Sequence, residues 1–421
     1  MTSRRVFLKA GGLALFGIGF GGIPAFLAEA ANRVKTQGIY KRKKILVCIF
    51  QRGAMDGLMA VTPFTDHYLK AARPTLFMSA AKGGKNKPLI DLDGRFGLHP
   101  SMHAFEPIFR EKRLAIVHGI GSPNNTRSHF DAQDYMESGT PFKKGTASGW
   151  LNRAIGLLGH DVSPFQAVSL TSSTPRSLYG DNSSIAISNL EDFAIEMRGN
   201  PTGATTVAKN FEDLYDQTSS GLLKQTGKES FDAVKLLQGL DTKKYKPSNH
   251  AVYPTSELGN SLKQIAQLTK MEVGLEVTFA ESRGWDTHYN QGTETGIFAR
   301  NVNDLSNSII SFWNDLGSYQ EDVTIMTMTE FGRTVKQNGT RGTDHGRASC
   351  NFIIGNDVNG GLVHGKVNPL SVENLEDGRD LAVTTDFRSV FSEVADKHLK
   401  INNDSILFPD WKGDKIGVMR A

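Results

Sequence analysis

Four short segments hold most of the residues whose types and spacing could do metal chemistry. In GTDHGRASC, Gly342 to Cys350, Asp344 and His345 stand side by side between glycines. In ESRGWDTHYNQ, Asp286 and His288 are two apart, so in an extended segment both side chains point the same way and can reach one ion. Glu330 opens EFGRT, and Asp56 sits between glycine-containing turns in QRGAMDGL. Mixed carboxylate and imidazole ligands suit Zn²⁺, Mn²⁺ or Fe better than Ca²⁺, which prefers oxygen alone. The candidate ligands are therefore Asp56, Asp286, His288, Glu330, Asp344 and His345. Each also has a plain reading. Asp-Gly is a routine turn, Arg333 can pair with Glu330, and Asp344-His345 taken alone is closer to a polar turn.

A fifth segment, GIGSPNNTRSHFDAQDYMESG, follows another apolar run. Ser128 with Asp131 three residues later resembles a capping box and predicts a helix from His129 to about Ser138. Ser128 is then an N-cap. In the sharper reading its hydroxyl is a nucleophile, facing converging N–H groups and activated by a nearby metal. Thr126, Arg127 and His129 share that loop, and Arg127 can hold an anionic group through two parallel bonds. Arg333 is a second cation for developing negative charge.

These loops need a scaffold that brings them together. Ile45–Phe50, Leu114–His118 and Val323–Met328 are continuous apolar runs of strand length, as is the shorter Phe352–Ile354, and Val273–Phe279 alternates as a half-buried strand nearer an edge does. Gly296 to Leu316 carries a wide apolar helical stripe, and Thr385 caps a helix running to about Lys400. Residues 181–268 read as a polar helical layer. The alternation predicts an α/β fold, a doubly wound, mostly parallel sheet sandwiched by helices. In such sheets ligands bind beyond the carboxyl ends of the strands, where Asp56, Asp286, Glu330 and the loop of Ser128 are placed.

Composition narrows the class of function. A net charge of +4 over 421 residues, with no long basic tract, argues against nucleic acid as a partner. The N-terminus, TSRRVFLK before a glycine-rich apolar run and Ala28-Glu29-Ala30, looks like a twin-arginine leader, with cleavage expected after Ala30. Residues 1–30 are thus read as a signal peptide and 31–421 as one domain. The expected partner is the twin-arginine export machinery, the expected location periplasmic or extracellular, and no transmembrane span remains after leader removal. Cys48 and Cys350, the two cysteines, sit in or beside apolar runs and read as buried free thiols.

RGAMDGL, RSHFDAQDYMESG, GWL, GWDTH, TEFGRT, GTDHG and TTDFRSVF, in this order, resemble the motifs of the domain-of-unknown-function 1501 family, over nearly all of the mature chain. The family's exported bacterial proteins are similar in fold to the alkaline phosphatase and sulfatase superfamily. The resemblance implies hydrolysis of phosphate or sulfate esters with one or two metals. It places Asp56 at the first metal-binding Asp, Ser128 or Thr126 near the nucleophile's helix start, and Asp286 with His288 at the next ligand pair, closer together than in relatives. Asp344-His345 is either the superfamily's Asp-His pair, or, in the preferred register, Glu330 takes the Asp position and His345 the last histidine. The second register leaves Phe331 where a ligand histidine would stand, a departure from a full two-metal site.

Two functions follow: an exported metal-dependent hydrolase of phosphate or sulfate esters acting on an anionic, envelope-associated substrate, or a non-catalytic exported binding or scaffold protein that keeps the fold. They part on whether the scattered acids and imidazoles converge.

Overall fold

The computed structural model of the chain describes residues 42–81, 87–159, 163, 165–190 and 245–420. The leader at 1–30 and residues 191–244 of the expected helical layer lie outside the described residues. The rest of that layer holds one short strand and one helix, both given below.

Strand β1 (Ile45–Gln51) is buried along its whole length. Ile45, Val47 and Ile49 point into one apolar layer, and Leu46, Cys48 and Phe50 into the other. Such two-sided burial is why the run is apolar throughout, and it puts β1 in the middle of the sheet. The other strands are β2 (Val61–Pro63), β3 (Ile90–Asp91), β4 (Phe96–Leu98), β5 (Leu114–Gly121), β6 (Ala167–Ser169), β7 (Ile185–Ala186), β8 (Val277–Ser282), β9 (Val323–Met328), β10 (Ser349–Ile354), β11 (Val363–His364) and β12 (Thr385–Asp386). The main sheet runs β11-β5-β10-β9-β1-β8-β6-β7, with β12 also pairing β5, while β2-β4-β3 form a small antiparallel sheet.

Five helices matter here: α1 (His129–Ser138), α2 (Trp150–Leu157), α3 (Glu257–Lys270), α4 (Ile297–Leu316) and α5 (Phe387–Leu399). Helices α3 and α4 cover one face of the sheet, and α2 and α5 the other. Leu305, Ile309 and Phe312 of α4 are fully buried, and each stabilises the fold by roughly 1.5–3 kcal/mol through lost apolar exposure. Helix α1 spans the residues the spacing predicts and stops at Gly139, whose φ of 69° is a left-handed cap. Both cysteines are buried free thiols.

Two expectations about the sheet need correction. β8 lies between β1 and β6 rather than near an edge, and begins at Val277. Val273 and Leu275 are buried ahead of it, so their alternation reflects packing, not strand pairing. The last run, β10, is antiparallel to both β5 and β9. That direction matters for function. The start of β10, and the GTDHG segment before it, falls at the edge of the sheet where β1, β8 and β9 end.

Candidate metal centre

Each imidazole at this edge is held by one nitrogen and aimed by the other. His129, the first residue of α1, has Nδ1 2.8 Å from Glu330 Oε1. His288, in the loop after β8, has Nδ1 2.9 Å from Asp344 Oδ1. His345, ahead of β10, has Nδ1 2.9 Å from the carbonyl oxygen of Arg127. An acceptor beside every Nδ1 calls for a proton there, which leaves the Nε2 lone pairs free to face outward. They face one another. His345 Nε2 is 3.0 Å from His129 Nε2 and 2.9 Å from His288 Nε2.

Asp286 completes the cluster. Its Oδ1 is 3.2 Å from His345 Nε2 and 3.1 Å from His288 Nε2, and its Oδ2 is 3.5 Å from His129 Nε2. The ligand atoms of His129, Asp286 and His345 all lie within 4.8 Å of one another. Atoms bound to a zinc at about 2.0–2.1 Å in tetrahedral geometry stand roughly 3.3 Å apart. The spacing and the N/O donor set therefore fit a divalent transition metal. Neutral imidazoles turning lone pairs toward each other are repulsive without a cation between them.

Charge and burial set the state of each group. The hydrogen bond donated to Glu330 raises the pKa of His129 against the opposing effect of its partial burial. Partial burial, and the positive charge that His129 carries when protonated, lower that of His345. Burial pushes the Asp286 carboxyl up, but Arg333, His288 and His129 outweigh it and hold it below the usual carboxylate range. Glu330, fully buried, is likewise driven up by burial and held down by His129, Gln133 and the Gly53 N–H. At neutral pH both are carboxylates.

The loops meet because glycines let backbone touch backbone. A Cβ on Gly342 would stand 2.2 Å from the carbonyl oxygen of His288, and one on Gly332 would stand 1.9 Å from that of Ala348. Phe331, at the position read as a missing ligand, stacks on His129 and packs against His345 with ring centroids 4.9 and 5.1 Å apart. It is an apolar wall for the two rings.

The expected site residues thus separate. Asp286, His288 and His345 face the common point. Glu330 and Asp344 are not at it: each spends an oxygen on the outer nitrogen of a histidine, a partner that orients the ring and raises its basicity. His129, taken from the sequence as a catalytic residue, stands among the ligand atoms instead. Asp56 is a correction. Both its oxygens bond the buried Arg73 guanidinium at 2.8 and 3.1 Å, and Gln291 donates to one of them at 2.7 Å, so the carboxylate is engaged away from the cluster. Arg333 is fully buried and pairs with Asp286 at 2.7 Å rather than with Glu330. Arg127 does not stand free for an anion, since Asp377 and Asp380 occupy its guanidinium. Ser128 is the N-cap of α1 but makes no cap hydrogen bond, and it is exposed.

Arg73, Gln133, Gln291 and Asp380 were not singled out from the sequence. No local pattern marks them, because each partner lies far along the chain. Gln133 alone had a signal, standing one turn after His129 on the same face of the predicted helix.

The profile of the family described as "Protein of unknown function (DUF1501)" matches residues 43–407. The chain belongs to this family. No curated protein matches the sequence. Among solved structures, the C-terminal periplasmic domain of EcEptC from Escherichia coli, in complex with Zn, is 8% identical over 75% of this chain and 73% of that one, with a TM-score of 0.36. Alkaline phosphatase from the Antarctic bacterium TAB5 is 11% identical over 75% and 93%, with a TM-score of 0.32. The PsFucS1 sulfatase from Pseudoalteromonas sp. is 11% identical over 94% and 76%, with a TM-score of 0.39. Likeness this slight carries no assignment of activity to this DUF1501 protein.

Proposed function

We propose that this protein is an exported, metal-dependent hydrolase of phosphate or sulfate esters, carried across the membrane by the twin-arginine machinery and acting on an anionic, envelope-associated substrate. One observation carries the hydrolase reading. The Nε2 atoms of His129 and His345, each ring held at Nδ1 by an acceptor, converge with the Asp286 carboxylate, and His288, held the same way, turns its Nε2 to His345 from the side. The leader pattern in residues 1–30 supports export.

The donor set favours Zn²⁺, Mn²⁺ or Fe. A cation bound here supplies Lewis acidity to an ester oxygen and makes water more acidic. His129, His345 and Asp286 would hold it, with His288 as a further donor. Glu330, Asp344 and the Arg127 carbonyl keep the rings from rotating away. Arg333 holds the Asp286 carboxylate in place and offsets part of its charge. Water is the favoured nucleophile, since the exposed Ser128 hydroxyl is uncapped and has no base hydrogen-bonded to it.

The test is metal analysis of the purified mature protein, followed by aryl-phosphate and aryl-sulfate hydrolysis by wild type, His345→Ala and Asp286→Ala. Near-stoichiometric transition metal in wild type, and loss of metal and hydrolysis together in both variants, is the expected result. Hydrolysis unchanged in either variant sinks the proposal. The unactivated Ser128 favours a second reading, a non-catalytic exported binding protein, which predicts metal without hydrolysis of either ester.

A further inference from the structure

Beside the histidine cluster the same edge of the sheet carries a polar trough. One cavity of about 430 Å³ is lined by Arg52, Gln133, Thr174 and Arg176 among others, and a second of about 500 Å³ adjoins it. Thr171, Ser172, Glu281 and Arg283 line both, so the two lie side by side along this edge. Each is within the size range of ligand sites. The trough also abuts the metal centre. Gln133, in its wall, stands one helical turn from His129 and donates at 2.9 Å to Glu330, the carboxylate that holds the His129 ring.

We propose that this trough binds the polyhydroxylated, saccharide part of the ester substrate. The lining argues for that class. Among the described residues lining it, Pro175 and Leu170 alone are apolar and none is aromatic, which disfavours a nucleobase, an aryl group or a lipid chain. Donors and acceptors alternate: the Ser172, Ser173 and Thr174 hydroxyls, three guanidiniums, and the carboxylates Glu137 and Glu281. Sugar hydroxyls are donors and acceptors at once and match such a wall. A polyphosphate would meet the carboxylates of Glu137, Glu281 and, in the second cavity, Glu257. The wall is also braced before any ligand arrives. Arg52 bonds Gln133, Glu137 and Glu281, while Arg283 bonds the other oxygen of Glu281, which lowers the ordering cost of binding. Arg176 is likewise fixed, through Nε on Asp134 and Nη2 on Thr146.

The inference rests on the hydrolase reading for the word substrate, but the binding arm of its test does not. Calorimetry measures binding of a chondroitin sulfate tetrasaccharide and its desulfated parent to the metal-free full-length mature protein. The comparison set is wild type, Arg283→Ala and Ser172→Trp, the last filling the trough from an exposed position outside the metal centre. Both saccharides should bind wild type and lose about tenfold or more in affinity in each variant. With zinc restored, KM for a hydrolysed sulfated tetrasaccharide should rise to a similar degree, while kcat/KM for a small aryl sulfate stays within twofold of wild type. No saccharide binding by wild type, or binding that neither variant weakens, overturns the proposal. Saccharide binding without hydrolysis of any ester supports the trough and removes the hydrolase reading alone.

Discussion

A histidine becomes a directed ligand only when its other nitrogen is held, and at this site two of the three holders are carboxylates. Asp344 is the more accessible: its side chain is 54% exposed and bonds His288 Nδ1 and Asn338 Nδ2. Asp344→Ala is therefore expected to leave the melting temperature of the metal-free protein nearly unchanged. Metal affinity should fall about 10–100-fold, the usual effect of removing such a partner. A competition titration with a chelating dye reads it, and unchanged affinity would show that His288 plays no part. Asp56 sits at the other extreme. Its pair with Arg73 is buried on both sides, and Asp56→Ala leaves an uncompensated guanidinium in the interior. A loss of roughly 3–5 kcal/mol is expected in urea unfolding. The sequence shows these two acids in similar glycine-bounded loops; burial and partners separate them.

Helices and strands set where the site can form, and the loops between them decide whether it closes. Strands β1, β8 and β9 deliver their loops to one edge because they run parallel, and β10 delivers GTDHG there because it runs against them. The segment TEFGRT then lies directly on TDHGRAS, with an antiparallel bridge between Arg333 and His345. A methyl group at residue 332 cannot fit against the Ala348 carbonyl, so the two loops must part. Gly332→Ala should therefore lose metal binding while the far-ultraviolet circular dichroism of the sheet and helices is retained. Full metal occupancy in that variant would mean the loop contact does not position His345.

Across the whole molecule, pH acts on stability through buried histidines outside the cluster. Burial pushes His99, His118 and His398 down to about 4. His99 and His118 each accept a backbone N–H at Nδ1 and direct Nε2 at a carbonyl, an arrangement that fits only the neutral ring. Their unfolded values lie near 6.5, so the unfolded chain binds protons first. The stability they contribute is complete above about pH 6.5 and is lost as pH falls through 4, on the order of 3 kcal/mol for each. Metal-free protein should show its denaturation midpoint in urea falling steadily between pH 6.5 and 4, and a flat profile there would contradict the buried neutral rings. At neutral pH, zinc at a hundredfold excess over its dissociation constant should add about 2.7 kcal/mol of stability. A chelator should reverse that gain in a thermal melt.

What the sequence determined by itself is the alternation of apolar strands and amphipathic helices, and with it the loops that end at the binding edge. Local periodicity carries that information, because side-chain burial repeats every two or 3.6 residues along one element. The residue types for a metal site were legible in the same way, in GWDTH, TEFGRT and GTDHG. Which of them face the common point was not. Glu330, Asp344 and Asp286 are all acids in rim loops, and only contacts spanning 56 to 201 residues of chain show two orienting rings and one joining the cluster. The direction of β10, the withdrawal of Asp56 to Arg73 and the turn of His129 toward His345 were decided in three dimensions. Each depends on a partner remote in sequence, and no local pattern encodes the identity of such a partner.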